Sequence, residues 1–314
     1  MPETETHVLL IEDNPIDILL TREMLSKRKK TTYTLKTVNC LKDGINILQN
    51  EQPDVILLDL YLPDSQGIKT FDTLFGLMLD VPIIVCTALE DENTALLGVN
   101  NGAQDYLLKG NITAALLSRS IKYAIERKKA ENKIKYLALY DTLTDLPNRR
   151  LFFDRLSQAF SRAHRYESKV GLLFIDLNKF KGINDNYGHE MGDHVLQAVG
   201  TRLKGSIRET DTAARLGGDE FGIILQDMKD ETSAKVISQK IIQSIEKKIH
   251  VKTHNFHIGA SVGISFYPED GKDENDLLNK ADKAMYKVKK SGKSGYCFCS
   301  KNQVENVLPS EDNL

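Results

Sequence analysis

The residues best equipped for chemistry are two adjacent carboxylates, Asp219 and Glu220, which follow Arg215-Leu216-Gly217-Gly218 and precede Phe221. Two acids after a glycine pair, with an arginine close by, are the ingredients of a site for a phosphorylated ligand and a divalent cation. Thr212 to Arg215 and Phe221 to Leu225 have strand composition, so the stretch predicts a hairpin. Gly217-Gly218 would be its two-residue turn, because glycine tolerates positive φ. Successive strand side chains point to opposite faces, so Asp219 and Glu220 converge only if the turn bends them together. With no Cβ on either glycine, a ligand can approach the backbone. A further acid, Asp176, closes the apolar run Val170-Gly-Leu-Leu-Phe-Ile175, which reads as a strand buried on both faces. Asp176, Asp219 and Glu220 brought together would repel and raise at least one pKa unless a cation sat among them. Hard oxygen ligands of this kind suit Mg²⁺, which keeps waters and substrate phosphates in its shell. The competing reading is that Asp176 caps a turn and the hairpin acids are solvated; the residue types alone leave both open.

A second set of polar residues sits in the first half of the chain. His7-Val-Leu-Leu-Ile11 runs into Glu12-Asp13, Val55-Ile-Leu-Leu58 into Asp59, Val81-Pro-Ile-Ile-Val-Cys86 into Thr87, and Tyr106-Leu-Leu108 into Lys109. Ile16 to Lys27 has helical patterning. Strands alternating with helices predict an α/β, doubly wound parallel sheet, in which sites gather at the carboxyl ends of strands. An acidic pair, an acid, a hydroxyl and an amine at four such ends are more than unrelated satisfied polar groups.

The elements that must position these groups fit two domains in a chain of 314 residues. With 41% apolar and 27% charged residues the composition is that of an ordinary globular protein, and a net charge of −2 gives no support for a nucleic-acid or anionic-membrane surface. The acidic N-terminus has an apolar run too short for a signal peptide, and no stretch is long enough to span a bilayer, so a cytoplasmic protein is expected. Cys40, Cys86, Cys297 and Cys299 are scattered and read as reduced core or strand residues. Ile112 to Tyr140 is helical throughout, with a charged centre and a weak heptad; it is either a solvated connecting helix or one that pairs with its twin in a homodimer. Leu151 to Tyr166, Thr232 to Lys248 and Asp276 to Lys290 are further helices, and His257 to Phe266 is a strand. His250, His254 and His257 straddle a hairpin loop and read as surface residues. Residues 301–314 are polar and are expected to form a disordered tail.

The segment VGLLFIDLNKFKGINDNYGHEMGD at 170–193, together with GGDEF at 217–221, closely resembles the GGDEF family of diguanylate cyclases, from about Leu137 to Tyr296. Residues 6–127 resemble the receiver domain of two-component response regulators. The division is then a receiver domain at 1–127, a helical connector at 128–140, an α+β palm-like (nucleotidyl cyclase) GGDEF domain at 141–300, and the tail. The GGDEF resemblance implies condensation of two GTP into cyclic di-GMP and two pyrophosphates by a homodimer. It implies Mg²⁺ on Asp176, the Leu177 carbonyl, Asp219 and Glu220, with Asp219 and Glu220 catalytic and Asp219 the candidate general base. Asn184 and Asp193 would read guanine, since an amide and a carboxylate match its donor and acceptor edge. His189 would lie near the base, and Lys181, Arg215, Lys289 and Lys293 would steady phosphates. Arg208-x-x-Asp211, at its spacing before the hairpin, resembles the family's product-inhibition site; the alternative is a helix-end ion pair. Asp141, Asn148 and Arg149 take structural roles, and Phe180 packs the core. The receiver resemblance makes Asp59 the phosphoacceptor, with Glu12, Asp13 and Asp59 holding a second Mg²⁺ and Thr87, Tyr106 and Lys109 forming the switch. A histidine kinase or phosphotransfer protein is then a partner. Three departures stand out: Gly110 where the family usually has proline, Asn178 where many members have aspartate, and Lys293 where arginine is usual. Two other functions remain in view: a degenerate GGDEF domain that only binds nucleotide or product, and a phosphorylation-dependent interaction adaptor.

Overall fold

Continuous apolar runs become the central strands of two sheets. The computed structural model describes residues 5–27, 32–77, 80–88, 98–99, 101–228, 230–301 and 303–306. The chain divides into two compact units, Met1–Lys135 and Tyr136–Leu314.

The first unit holds β1 (Glu5–Ile11), α1 (Pro15–Ser26), β2 (Thr32–Val38), α2 (Leu41–Leu48), β3 (Val55–Asp59), the short pair β4 (Tyr61–Leu62) and β5 (Ser65–Gln66), α3 (Ile68–Phe75), β6 (Ile83–Thr87) and β7 (Asp105–Leu108). The five-stranded sheet runs β2-β1-β3-β6-β7, and every pairing in it is parallel. Every residue of β3 is buried. Its side chains alternate between two cores: Ile56 and Leu58 join Leu9, Ile11 and Phe71 on one face, while Val55 and Leu57 join Val8, Leu10 and Leu117 on the other. Both faces are therefore covered, as a parallel sheet requires. Strand β2 was not among the four expected strands. It is an edge strand of exposed and half-buried residues, and its Thr-rich alternation lacks the apolar run that marked the others.

Helix α4 (Ala114–Leu139) follows a single 3₁₀ turn at Lys109–Asn111. Leu117, Ile121 and Ala124 bury against the first unit, while Tyr123, Ile134 and Leu137 are exposed. The helix expected throughout Ile112 to Tyr140 is thus present as one continuous element, and the connector segment at 128–140 falls in its second half.

The second unit comprises α5 (Arg149–Tyr166), β8 (Lys169–Asn178), α6 (Phe180–Tyr187), α7 (His189–Ser206), β9 (Thr212–Gly217), β10 (Glu220–Met228), α8 (Glu231–Glu246), the hairpin β11 (Ile249–Val251) and β12 (His254–Phe256), β13 (Gly259–Tyr267), α9 (Glu274–Ser291), β14 (Gly295–Phe298) and β15 (Val304–Asn306). The mixed six-stranded sheet runs β15-β14-β13-β8-β10-β9, with β8 antiparallel to both neighbours. Leu173, Ile175 and Leu177 of β8 face α7 and α8; Leu172 and Phe174 face α5 and α9. By the same alternation Asp176 lies on the α5 and α9 side.

Two boundary expectations are corrected. Strand β8 continues through Asp176 to Asn178 because Leu177 is itself a buried core residue. Residues 304–306 are not tail but a strand: Glu305 accepts from buried Tyr296 and from Lys235 Nζ at 2.6 Å. Residue 302 and residues 307–314 of the expected tail lie outside the described residues. The cysteines are free, with Cys86 and Cys297 buried, and the thiol of Cys86 is pushed up to about 12 by burial. His250, His254 and His257 are exposed around the β11–β12 hairpin.

One close approach sets the position of α9. A Cβ on Gly263 of β13 would lie 1.9 Å from the Ala281 carbonyl oxygen and 2.4 Å from the Met285 nitrogen, both on the α9 backbone. Backbone cannot step aside as a side chain can. Gly263→Ala should therefore destabilise the second unit by about 3 kcal/mol or more, read as a lower urea midpoint for its unfolding transition.

Candidate functional site

Asp176 and Glu220 are direct cross-strand partners between β8 and β10. Residues so paired share a face, with Cβ atoms about 5 Å apart. Asp219 stands in the adjoining turn, where its carbonyl accepts from Leu177 N at 3.3 Å. The turn differs by one residue from expectation. Gly217 pairs with Glu220, so the two loop residues are Gly218 and Asp219, and Leu216 forms a bulge before the register resumes at Arg215–Phe221. Gly217 and Gly218 have φ of 152° and 52°, conformations that exclude a side chain without strain. The bulge re-aims the strand end. Glu220 thus shares the face that Asp176 occupies, and Asp219 is near enough for its charge to act on both.

Asp176 is only 4% exposed. Its Oδ2 meets Lys289 Nζ at 2.7 Å, and its Oδ1 is buried with no hydrogen-bond partner. Burial raises the Asp176 carboxyl above the usual range; Lys289 opposes this, while Asp219 and Asp282 reinforce it. Glu220 is raised by burial and then by Asp176, Asp219 and Asp282. The Lys289 ammonium is held above its usual value by Asp176, Asp219 and Glu220, against the opposing effect of its own desolvation. The residue types, hard oxygens with one buried and unsatisfied at Asp176 Oδ1, suit Mg²⁺, but among the described residues Asp176, Asp219 and Glu220 do not bring their ligand oxygens within 4.8 Å of one another, and Lys289 occupies Asp176 Oδ2. Asp282 had escaped the sequence reading. Its signal was its place on α9, seven residues before Lys289 and so on the same helix face.

The nucleotide-reading candidates lie on α6 and α7. Asn184 Oδ1 is buried without a partner, in space that exists because residue 192 is glycine: a Cβ there would sit 1.9 Å from that oxygen. Asp193, His189 and Lys181 are exposed nearby in the chain, and Phe180 is buried in the core. Lys293 is exposed just beyond the α9 cap at Gly292.

Arg215 is placed otherwise than expected. Its Nε and Nη2 donate to the Gly218 carbonyl at 3.0 and 2.8 Å, and its Nη1 donates to both Asp141 oxygens at 3.1 and 3.2 Å. These contacts brace the turn and occupy the guanidinium. Asn148 is the N-cap of α5 and also donates to the Ala138 carbonyl, which agrees with a structural role. Asp211 is buried, and its oxygens accept from the backbone N–H groups of Arg208 and Gln226. The alternative side-chain ion pair is therefore not what holds Asp211. Arg208 and Asp211 line a cavity of about 400 Å³ together with Arg155 and Lys204.

In the first unit, Asp59 and Glu12 are 6% and 1% exposed, while Asp13 is exposed. These three carboxylates offer oxygens within 4.8 Å of one another, a set that fits a divalent cation. Lys109 Nζ contacts Asp59 Oδ2 at 2.6 Å, Glu12 Oε2 at 2.7 Å and Asp17 Oδ2 at 2.9 Å. Thr87 is fully buried and its hydroxyl has no partner. Tyr106 is half-buried. Burial raises Glu12 to about 7; Lys109 opposes this and Asp59 adds to it. Lys109 is itself held well above its usual range by its three carboxylates, against its own desolvation. The two shifts are compatible: one ammonium cannot neutralise every acid around it, and the most buried acid bears the largest desolvation cost.

A carboxyl raised in the folded state binds more protons folded than unfolded, so its contribution to stability falls as pH rises from about 4.5 to about 7. Mg²⁺ should raise the melting temperature of the first unit more at pH 8 than at pH 5.5, where protons compete for Glu12. Glu12→Gln should flatten the metal-free pH dependence in a thermal scan.

A family model for the diguanylate cyclase GGDEF domain matches residues 138–295, half of the chain, and one for the response regulator receiver domain matches residues 8–120. The bifunctional diguanylate cyclase/cyclic di-GMP phosphodiesterase MucR of Pseudomonas aeruginosa is 38% identical over 201 residues, which is 64% of this chain and 29% of that protein. Diguanylate cyclase TpbB of the same species is 36% identical over 64% of this chain and 46% of its own length. The chain thus spans less than half the length of these relatives. Among solved structures, the GGDEF domain of TpbB shares 38% identity over 51% of this chain and 94% of that one, with a TM-score of 0.50. The coiled coil and GGDEF domain of DgcB from Caulobacter crescentus, in complex with cyclic di-GMP, shares 25% identity over 59% of this chain and 97% of that one, with a TM-score of 0.52. No helix among the described residues is long and apolar enough to cross a membrane. On the paired acids, the glycine turn that presents them and these matches, the chain belongs to the GGDEF family of diguanylate cyclase domains, carried here behind a response regulator receiver domain.

Proposed function

We propose that this protein is a phosphorylation-controlled diguanylate cyclase that works as a homodimer. The observation that carries the reading is the cross-strand pair Asp176–Glu220 beside the Asp219 turn, with a buried carboxylate oxygen that nothing in the fold satisfies. Each catalytic domain binds one GTP. The 3′-hydroxyl of one nucleotide attacks the α-phosphorus of the other; the new P–O bond forms as the bond to pyrophosphate breaks, and repetition closes the ring. Asp176, the Leu177 carbonyl, Asp219 and Glu220 would hold Mg²⁺, which would supply charge neutralisation and a lower hydroxyl pKa. Asp219 takes the proton. Lys289 leaves Asp176 for the phosphates, with Lys293 and Lys181 as further cations.

Asn184 and Asp193 read guanine; an adenine edge would leave the Asp193 carboxylate unpaired, which disfavours it. Aligning two nucleotides accounts for about 7–11 kcal/mol of barrier lowering, so pairing of the catalytic domains is the natural point of control. The exposed Ile134 and Leu137 of α4 support that pairing. Arg208 and Asp211 bind product, with Arg208 supplying the charge and Asp211 ordering the loop.

In the first unit a histidine kinase or phosphotransfer protein donates a phosphoryl group. The donor P–O or P–N bond breaks and a P–O bond to Asp59 forms; Glu12, Asp13 and Asp59 would hold the Mg²⁺ that neutralises the incoming charge. Chromatography of the products from GTP and MgCl₂, with and without beryllofluoride, tests the whole reading. Cyclic di-GMP that increases with beryllofluoride supports it. No cyclic product from either sample leaves a nucleotide receptor or an adaptor instead.

A further inference from the structure

An ammonium has three hydrogens to donate, and at Lys109 three carboxylates claim them: Asp59, Glu12 and Asp17. Asp17 is the odd member. It belongs to the first turn of α1, its side chain is 25% exposed, and it lies outside the Glu12-Asp13-Asp59 set that fits the cation. A first-turn acid is favourable to a helix on its own account, but that alone does not explain a 2.9 Å contact with Lys109.

We propose that Asp17 is a positioning residue that competes with the phosphorylated Asp59 for Lys109 and so sets how readily the receiver accepts its activating anion. The proposal rests on the reading of Asp59 as phosphoacceptor. Were Glu12 and Asp59 to hold Mg²⁺, Lys109 would be shared between Asp17 and the new anion. Asp17 draws the ammonium toward α1, and its own charge repels a phosphoryl group a few ångströms away. The same charge favours the divalent cation. Removing it must therefore shift the two affinities in opposite directions, which loss of a merely structural contact would not do.

The test uses the full chain and two binding probes measured by calorimetry: Mg²⁺ alone, and beryllofluoride at saturating Mg²⁺. For Asp17→Asn the expected result is roughly threefold to tenfold tighter beryllofluoride binding together with weaker Mg²⁺ binding, and Asp17→Glu should restore both. Should the Asn variant not fold, Asp17→Ser carries the same expectation. Beryllofluoride affinity that is unchanged or weaker in the variant, with wild type binding normally, overturns this proposal alone. Wild type that fails to bind beryllofluoride, or binds it equally after Asp59→Asn, overturns the phosphoacceptor reading and this proposal with it.

Discussion

Asp176→Asn is expected to abolish cyclic product, with a loss of about 10³-fold or more in turnover, while leaving the fold as stable as before or more so. The two halves of this expectation have one origin. Asp176 is a buried carboxylate with one oxygen on Lys289 and the other unsatisfied. Burial already pushes it toward the neutral form. Asparagine keeps the volume and removes the charge, so the metal-free protein is relieved of a desolvated anion, and Lys289, about half exposed, turns to water. Removing one partner of a buried pair is costly when the other is left buried and unpaired; here the partner left behind can reach water, so the relief of desolvation at Asp176 is not offset. The pH dependence follows by linkage. A carboxyl raised in the folded state lowers stability as pH climbs from the ordinary carboxylate range through its folded value, so wild type should lose stability there and the variant should lose less. Pyrophosphate release and thermal melting, measured on the same samples, read the two signs. A variant that loses activity and stability together would instead make Asp176 a packing residue, and the cation site would have to be sought elsewhere.

What could be read from the sequence was what depends on short range. Runs such as Val55–Leu58 and Val170–Ile175 are buried because their composition permits nothing else, and Asp59 stands at the carboxyl end of β3. Edge strand β2 carries no such run, because one of its edges has no neighbour and alternation alone had to mark it. The acids of the hairpin were evident, but not the bulge at Leu216 that shifts the loop to Gly218-Asp219; a single extra residue in one strand leaves no compositional trace. Arg215, Asp282 and Asp17 were misjudged or missed for a different reason. Each acts through a partner distant in sequence: Asp141, the β8–β10 face and Lys109 respectively. Charge alone does not say whether an arginine beside a phosphate site faces the ligand or braces the loop behind it, and here the fold's answer is the loop.

Thr87→Val should separate phosphoryl binding from its consequence. The Thr87 hydroxyl is fully buried at the end of β6 and has nothing to bond. An unsatisfied buried hydroxyl costs about 1–3 kcal/mol, and valine has nearly the same shape without that cost. The unphosphorylated first unit should therefore become more stable by about 1 kcal/mol. In the activated receiver the same hydroxyl would find an anionic oxygen on Asp59, a charge-assisted hydrogen bond contributing about 1.5–3 kcal/mol. Moving a two-state equilibrium from 1:99 to 99:1 takes about 5.5 kcal/mol of differential binding. Losing about 2 kcal/mol of it would leave the active state favoured by only about threefold. Asp59→Asn, by contrast, should abolish the response entirely and leave only basal turnover. Beryllofluoride stimulation of pyrophosphate release in the full chain distinguishes wild type, Thr87→Val and Asp59→Asn as full, partial and absent. If Thr87→Val is stimulated as fully as wild type, the orphaned hydroxyl is only a defect of packing. The signal would then have to leave the Asp59 site through Tyr106 or through Lys109 and the 3₁₀ turn at Lys109–Asn111, where glycine at 110 leaves the backbone free to move.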